Sequence, residues 1–130
     1  MMLEQDMLTF LLAAPSLQAL VVDRIYGLRR PQSSAVPSIM LQRATSTRQV
    51  LFCGTDKLVE CQMQVDSFAI SGEDVWNVAR ALRLLLVDFS GMMAATFVDH
   101  CTLANEFPLI DPDPGIMRVT QLYQIYYVED

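Results

Sequence analysis

Near the start of the chain, Leu3, Met7, Phe10 and Leu11 stand at i, i+4, i+7 and i+8, a spacing that predicts an amphipathic helix over Met2 to Ala13. Glu4 and Asp6 fall in its first turn, where the helix dipole favours negative charge. Pro15 ends or restarts it, and Pro15 to Val21 reads as a second short helical turn. Asp23 to Leu28 reads as extended, and Arg29 to Val36 as a polar loop. From Pro37 to Arg48 the alternation is mixed, with Ile39 and Leu41 opposed by Gln42, which predicts a strand running into an arm at about residues 43–57. In that arm Thr, Ser and Arg lead into Val50, Leu51 and Phe52, followed by a turn at Gly54 to Asp56. The apolar trio either folds back on the core or inserts into a neighbour.

The cleanest alternation runs from Leu58 to Asp66, where Val59, Cys61, Met63 and Val65 alternate with Glu60, Gln62, Gln64 and Asp66. A strand with one core face and one wet or interfacial face follows. At Ser67 and Phe68 the phase slips, which predicts a bulge or a change of sheet. Ser71, followed three residues later by Asp74, opens a capping-box-like helix start. The helix predicted from Glu73 to about Val87 puts Val75, Trp76, Ala79, Leu82, Leu85 and Leu86 on one face and Asn77, Arg80 and Arg83 on the other. Met92 to Leu103 reads as a strand, Asn105 to Gly115 as a long loop, and Ile116 to Val128 as a final strand. This order predicts an α+β domain with a mostly antiparallel or mixed sheet and two helices packed on one face.

At 130 residues the chain makes one domain, large enough for a core without staples. Counting glycine in place of tyrosine, about 53% of it is apolar, above the usual 45 to 50%. Such a surplus is expected to be covered by protein or by membrane. The charge-free run from Met7 to Val22 is 16 residues long and includes Thr9, Pro15, Ser16 and Gln18, too short and polar for a span of about 20. Glu4 and Asp6 also sit where a signal peptide carries cations. We therefore expect a soluble protein that stays where it is made, without membrane contact.

Fifteen acidic residues against nine basic ones give a net charge of −6, and one lysine is poor equipment for neutralising phosphates. The charge is also segregated. Up to Lys57 there are six basic and four acidic residues; from Leu58 onward there are three and eleven. Two chemically different faces are the expected result.

Candidate chemistry is sparse. Cys53, Cys61 and Cys101 form no Cys-x-x-Cys pair and read as small buried hydrophobes in a reducing compartment. His100 and Cys101 are strand neighbours that point to opposite faces, so they do not converge on a metal or a nucleophile. Asp111 and Asp113 alternate with prolines, a stiff turn lacking the ligands of a calcium loop. No phosphate loop, Ser/His/Asp order or HExxH is present. Neither catalytic residues nor a cofactor are expected. Arg24, Arg29 and Arg30, with Arg43 and Arg48, form the one basic concentration: a solvated loop, a cross-subunit patch that meets acids of the later half, or, third, a nucleic-acid contact, which the lack of interleaved aromatics other than Tyr26 disfavours.

Four stretches, LTFLLAAPSLQALVVDRIYG (Leu8 to Gly27), VPSIML (Val36 to Leu41), ECQMQVDSFAI (Glu60 to Ile70) with the helix after Ser71, and the tyrosine-bearing RVTQLYQIYYVE (Arg118 to Glu129), carry a resemblance to a known family. In their order and pattern the chain resembles the tail completion, or tail terminator, proteins of long-tailed bacteriophages. It implies a virion structural protein: a ring, usually hexameric, that caps the tail tube and joins it to the head connector. The tail tube protein and a head-completion or connector protein are the implied partners, with genomic double-stranded DNA passing through unbound. Arg24, Arg29, Arg30, Arg48, Val50, Leu51, Phe52, Met92 and Met93 are the expected interface residues. A standard interface of about 1,600 Å², roughly 60% apolar, is worth on the order of 24 kcal/mol gross. That exceeds association costs of about 4 to 15 kcal/mol. A head-tail stopper of the neck, or a small cytosolic ligand-binding accessory domain, are the alternative expectations.

Overall fold

The computed structural model describes residues 3–27, 36–48, 58–110 and 115–128, with side chains for all of these but 46–48, 58 and 110. Three helices, α1 (Leu3–Leu12), α2 (Pro15–Val21) and α3 (Gly72–Leu86), accompany six strands. These are β1 (Ile25–Gly27), β2 (Ser38–Arg48), β3 (Leu58–Ala69), β4 (Gly91–Met93), β5 (Thr96–Ile110) and β6 (Met117–Val128). They form one sheet in the order β1-β2-β3-β6-β5-β4. The β1–β2 pair is parallel and the others are antiparallel. This is the expected α+β class with a mixed sheet.

The centre of the sheet is the β3–β6 ladder, paired without a shift from Leu58↔Val128 to Ala69↔Met117. Alternation then does the sorting. Val59, Cys61, Met63 and Val65 of β3, and Tyr123, Ile125 and Tyr127 of β6, are buried in one core cluster with Leu3, Met7 and Leu11 of α1, Leu17 and Val21 of α2, and Val78, Leu82 and Leu86 of α3. All three helices therefore share one face of the sheet. The second helical turn of the sequence reading is a regular helix, with Pro15 at its start, where a missing N–H costs nothing. Ser71 caps α3, its hydroxyl accepting from the Asp74 N–H at 3.1 Å.

Several expectations are corrected. No bulge occurs at Ser67 and Phe68; Phe68 stays on the face opposite the helices and is buried beneath Arg118, whose guanidinium lies 5.4 Å from the ring centroid. The register shifts lie instead between Arg43 and Thr45 in β2 and at two places in β5. The loop expected over Asn105 to Gly115 is strand as far as Ile110, paired with β6. Asn, Glu and Pro are poor strand formers, but this segment lies at the sheet edge, where Pro108 needs no ladder donor. The strand expected from Met92 begins as a hairpin, β4 turning into β5 through Ala94 at φ 50°. Trp76 is 42% exposed rather than core, and Val78 takes its place. Arg43 to Arg48 belong to β2, paired with β3; residues 49–57 of the expected arm lie outside the described residues.

Val22 ends α2 at φ 59° and ψ −106°, its N–H bonded to Gln18 O at 3.1 Å. A β-branched residue is strained there, and glycine is not. Val22 is 55% exposed, so little packing is lost by removing its side chain. Val22→Gly is expected to raise stability by about 1 kcal/mol, read as a higher urea midpoint with an unchanged slope.

Candidate functional site

Three buried or half-buried ionic networks tie the helices and strands together. On the helical face, Arg43 Nη2 meets Glu4 Oε1 at 2.7 Å, and its guanidinium lies 5.5 Å from the Tyr127 ring centroid. Burial works against the Arg43 charge, but hydrogen bonds to Glu4 and Tyr127 outweigh it and raise the pKa above its ordinary value. At the far side of the core, Arg83 Nη1 reaches both Glu106 carboxylate oxygens, at 2.7 and 2.6 Å. Glu106 also accepts from Gln121 Nε2 at 2.6 Å; Gln121 in turn donates to Ala79 O and accepts from the Tyr123 hydroxyl. This network ties α3, β5 and β6 together.

The third network lies on the opposite face of the sheet. Asp66 is fully buried and accepts from Arg118 Nη2 at 3.0 Å, Thr120 Oγ1 at 2.5 Å and Gln64 Nε2 at 3.0 Å. On the helical side a further carboxylate, Asp6, is buried and accepts from Thr96 Oγ1. Arg43, Arg83 and Arg118 are thus engaged within the chain, so the arginine patch expected from the sequence loses Arg43. Arg24 Nε donates to Pro37 O at 2.8 Å and braces the start of β2. The Arg48 backbone lies in β2, while Arg29, Arg30, Val50, Leu51 and Phe52 lie outside the described residues.

Among the described residues, no three His, Cys, Asp or Glu side chains are placed to hold a metal. His100 Nε2 lies 3.9 Å from Asp88 Oδ1 on a half-exposed edge, while Cys101 is buried on the other side of its strand. Cys61 and Cys101 are free thiols. Burial pushes the Cys61 thiol up to about 11 and the Cys101 thiol to about 12, and raises the Tyr123 hydroxyl as well. These are core groups rather than nucleophiles. No described helix is long and apolar enough to cross a membrane.

The surface carries the remaining apolar surplus in definite places. Met92, Phe97 and Val128 are 55%, 42% and 40% exposed, and pairing of 92 with 97 and of 97 with 128 sets them in one row across the end of the sheet. Ile70, Leu109 and Met117 are exposed near the other end of the long strands. Trp76 and Leu84 stand out from α3. Met93, expected at the interface beside Met92, is fully buried in the core, because adjacent strand residues point to opposite faces. Phe97 and Val128 escaped the sequence reading, although Phe97 beside Val98 was a signal: two adjacent apolar strand residues cannot both face one core. An open apolar groove of about 400 Å³ runs between Phe10, Ala13, Ala14, Pro15, Leu85 and Ala94. Its lining residues come from three separate stretches, and no spacing in the sequence announces it.

Two outcomes follow from these buried groups. Arg118→Ala leaves the Asp66 carboxylate buried without its cation and is expected to cost about 3 to 5 kcal/mol in denaturant unfolding. The raised thiol and phenol pKa values mean that the folded chain keeps protons that the unfolded chain releases above about pH 9. Their contribution is therefore full below that pH and is lost as the pH rises towards 12. A urea midpoint measured at pH 8 and at pH 10.5 is expected to fall at the higher value.

The family model described as Tail completion protein gp17 matches residues 5–128 of this chain. No curated protein matches it. Among solved structures, a chain from "Virion of native gene transfer agent (GTA) particle" superimposes with a TM-score of 0.81. At 14% identity, over 98% of this chain and 95% of that one, the likeness is one of fold.

Proposed function

This chain belongs to the tail completion protein gp17 family, and on that premise we propose that its copies close into a hexameric ring that caps the tail tube and joins it to the head connector. Membership makes it a structural protein of a phage-type tail, carried in the virion. The observation that supports the ring is where the exposed apolar side chains fall. Met92, Phe97 and Val128 mark one end of the strands, and Ile70, Leu109 and Met117 lie near the other. A subunit held between neighbours along an axis needs such separate faces, and a head-to-tail ring needs two different ones.

Contacts in this reading fall to Arg24, Arg29, Arg30 and Arg48, to Val50, Leu51 and Phe52, and to Met92. Met93 is withdrawn from that set because it is core. The tail tube protein binds one end of the ring and a head-completion or connector protein the other. The role is structural rather than catalytic and requires no cofactor. With a net charge of −6, the ring lets genomic double-stranded DNA pass without gripping it.

Light scattering of the purified protein, alone and after addition of its tail tubes, tests the reading. A single closed oligomer, or a monomer that becomes one on the tubes, is expected. A chain that stays monomeric and never joins tubes contradicts it, and salt-dependent affinity for double-stranded DNA contradicts the passive channel.

A further inference from the structure

We propose that the apolar groove between α1, α2, α3 and the β4–β5 turn is the socket for Val50, Leu51 and Phe52 of the neighbouring copy, an inference that rests on the ring reading. The groove is lined by Phe10, Ala13, Ala14, Pro15, Leu85 and Ala94, with Ala13, Pro15 and Ala94 exposed and Phe10 and Leu85 half-buried. Its volume of about 400 Å³ and its methyl-rich walls suit apolar side chains.

Chain length and topology choose the occupant. Residues 49–57 join the end of β2 at Arg48 to the start of β3 at Leu58. Leu58 pairs with Val128, Val128 with Phe97, and Phe97 with Met92. The origin of that connection and the Ala94 turn beside the groove therefore lie at the same end of the strands, but on different flanks of the sheet. From β2 to β4 there are four strand spacings, about 19 Å along the sheet. Val50 is two residues beyond Arg48 and reaches at most about 7 Å from it. The trio is too close to its own β2 to fill its own groove as a unit. Head-to-tail packing instead brings the β2–β3 flank of one copy against the β4 flank of the next at a matching level. Socket and plug are then the two unlike surfaces that such a ring needs.

The native thiol of Cys53 follows Phe52 directly, while Cys61 and Cys101 are buried, so a single new cysteine at the groove rim reports on the contact. Ala13→Cys, treated with a short bismaleimide, is expected to give a covalent ladder from dimer to full ring. The ladder should be absent from the unsubstituted protein and from Ala13→Cys combined with Cys53→Ser. A ring seen by light scattering that yields no ladder, or only a link within one chain, overturns the socket and leaves the ring standing. No ring under any condition overturns both. As a second arm, Leu51→Asp is expected to abolish the ring while keeping the unfolding midpoint; a retained ring, or a chain that no longer folds, overturns the proposal.

Discussion

The unshifted β3–β6 ladder is the constraint on which the rest of the structure depends. Because pairing holds from Leu58↔Val128 to Ala69↔Met117 without a bulge, odd-numbered residues of both strands stay on one side for their whole length. A slip of one residue would turn Val59, Cys61, Met63, Val65, Tyr123, Ile125 and Tyr127 outward together. Three helices close over that face, so each depends on the same register. The bulges are pushed to β2 and β5, the strands on either side, where bending the sheet does not disturb the ladder.

Charge plays a different part from the one its distribution along the chain suggests. A positive first segment and a negative second one look like two docking faces, yet Arg43, Arg83 and Arg118 close on Glu4, Glu106 and Asp66 within the same chain. These pairs fix how α1 and α3 sit on the sheet and how Phe68 is covered on the far face. These three arginines are spent inside the chain, while Met92, Phe97, Val128, Ile70, Leu109 and Met117 remain exposed on its surface.

The sequence was most readable where one period governs one face. Both long central strands, the α3 cap at Ser71 and the helix at Leu3 follow directly from alternation, helical spacing or a capping residue. It was least readable where tertiary pairing overrides local preference. Asn105 to Ile110 is strand because β6 lies alongside it, not because Asn, Glu and Pro favour extension. Phe68 breaks alternation because Arg118 and Asp66 bury the far face there, which no single strand reveals. Trp76 looks like core on a helical projection, but the arc that α3 buries is centred on Val75, Val78, Ala79, Leu82 and Leu86. Of the expected interface set, the structure exposes Met92 and retires Met93; the groove and the Met92–Phe97–Val128 row arise only once separate segments are brought together.

If copies of this protein close one end of a tail tube, as proposed, they must be found there together. Electron cryomicroscopy of assembled particles, with the chain fitted into the map, tests it most directly. One closed ring of this fold is expected at the head-proximal end of the tube, with the β2–β3 flank of each copy against the β4 flank of the next. Copies distributed along the tube, or a single copy with no like neighbour, would contradict it.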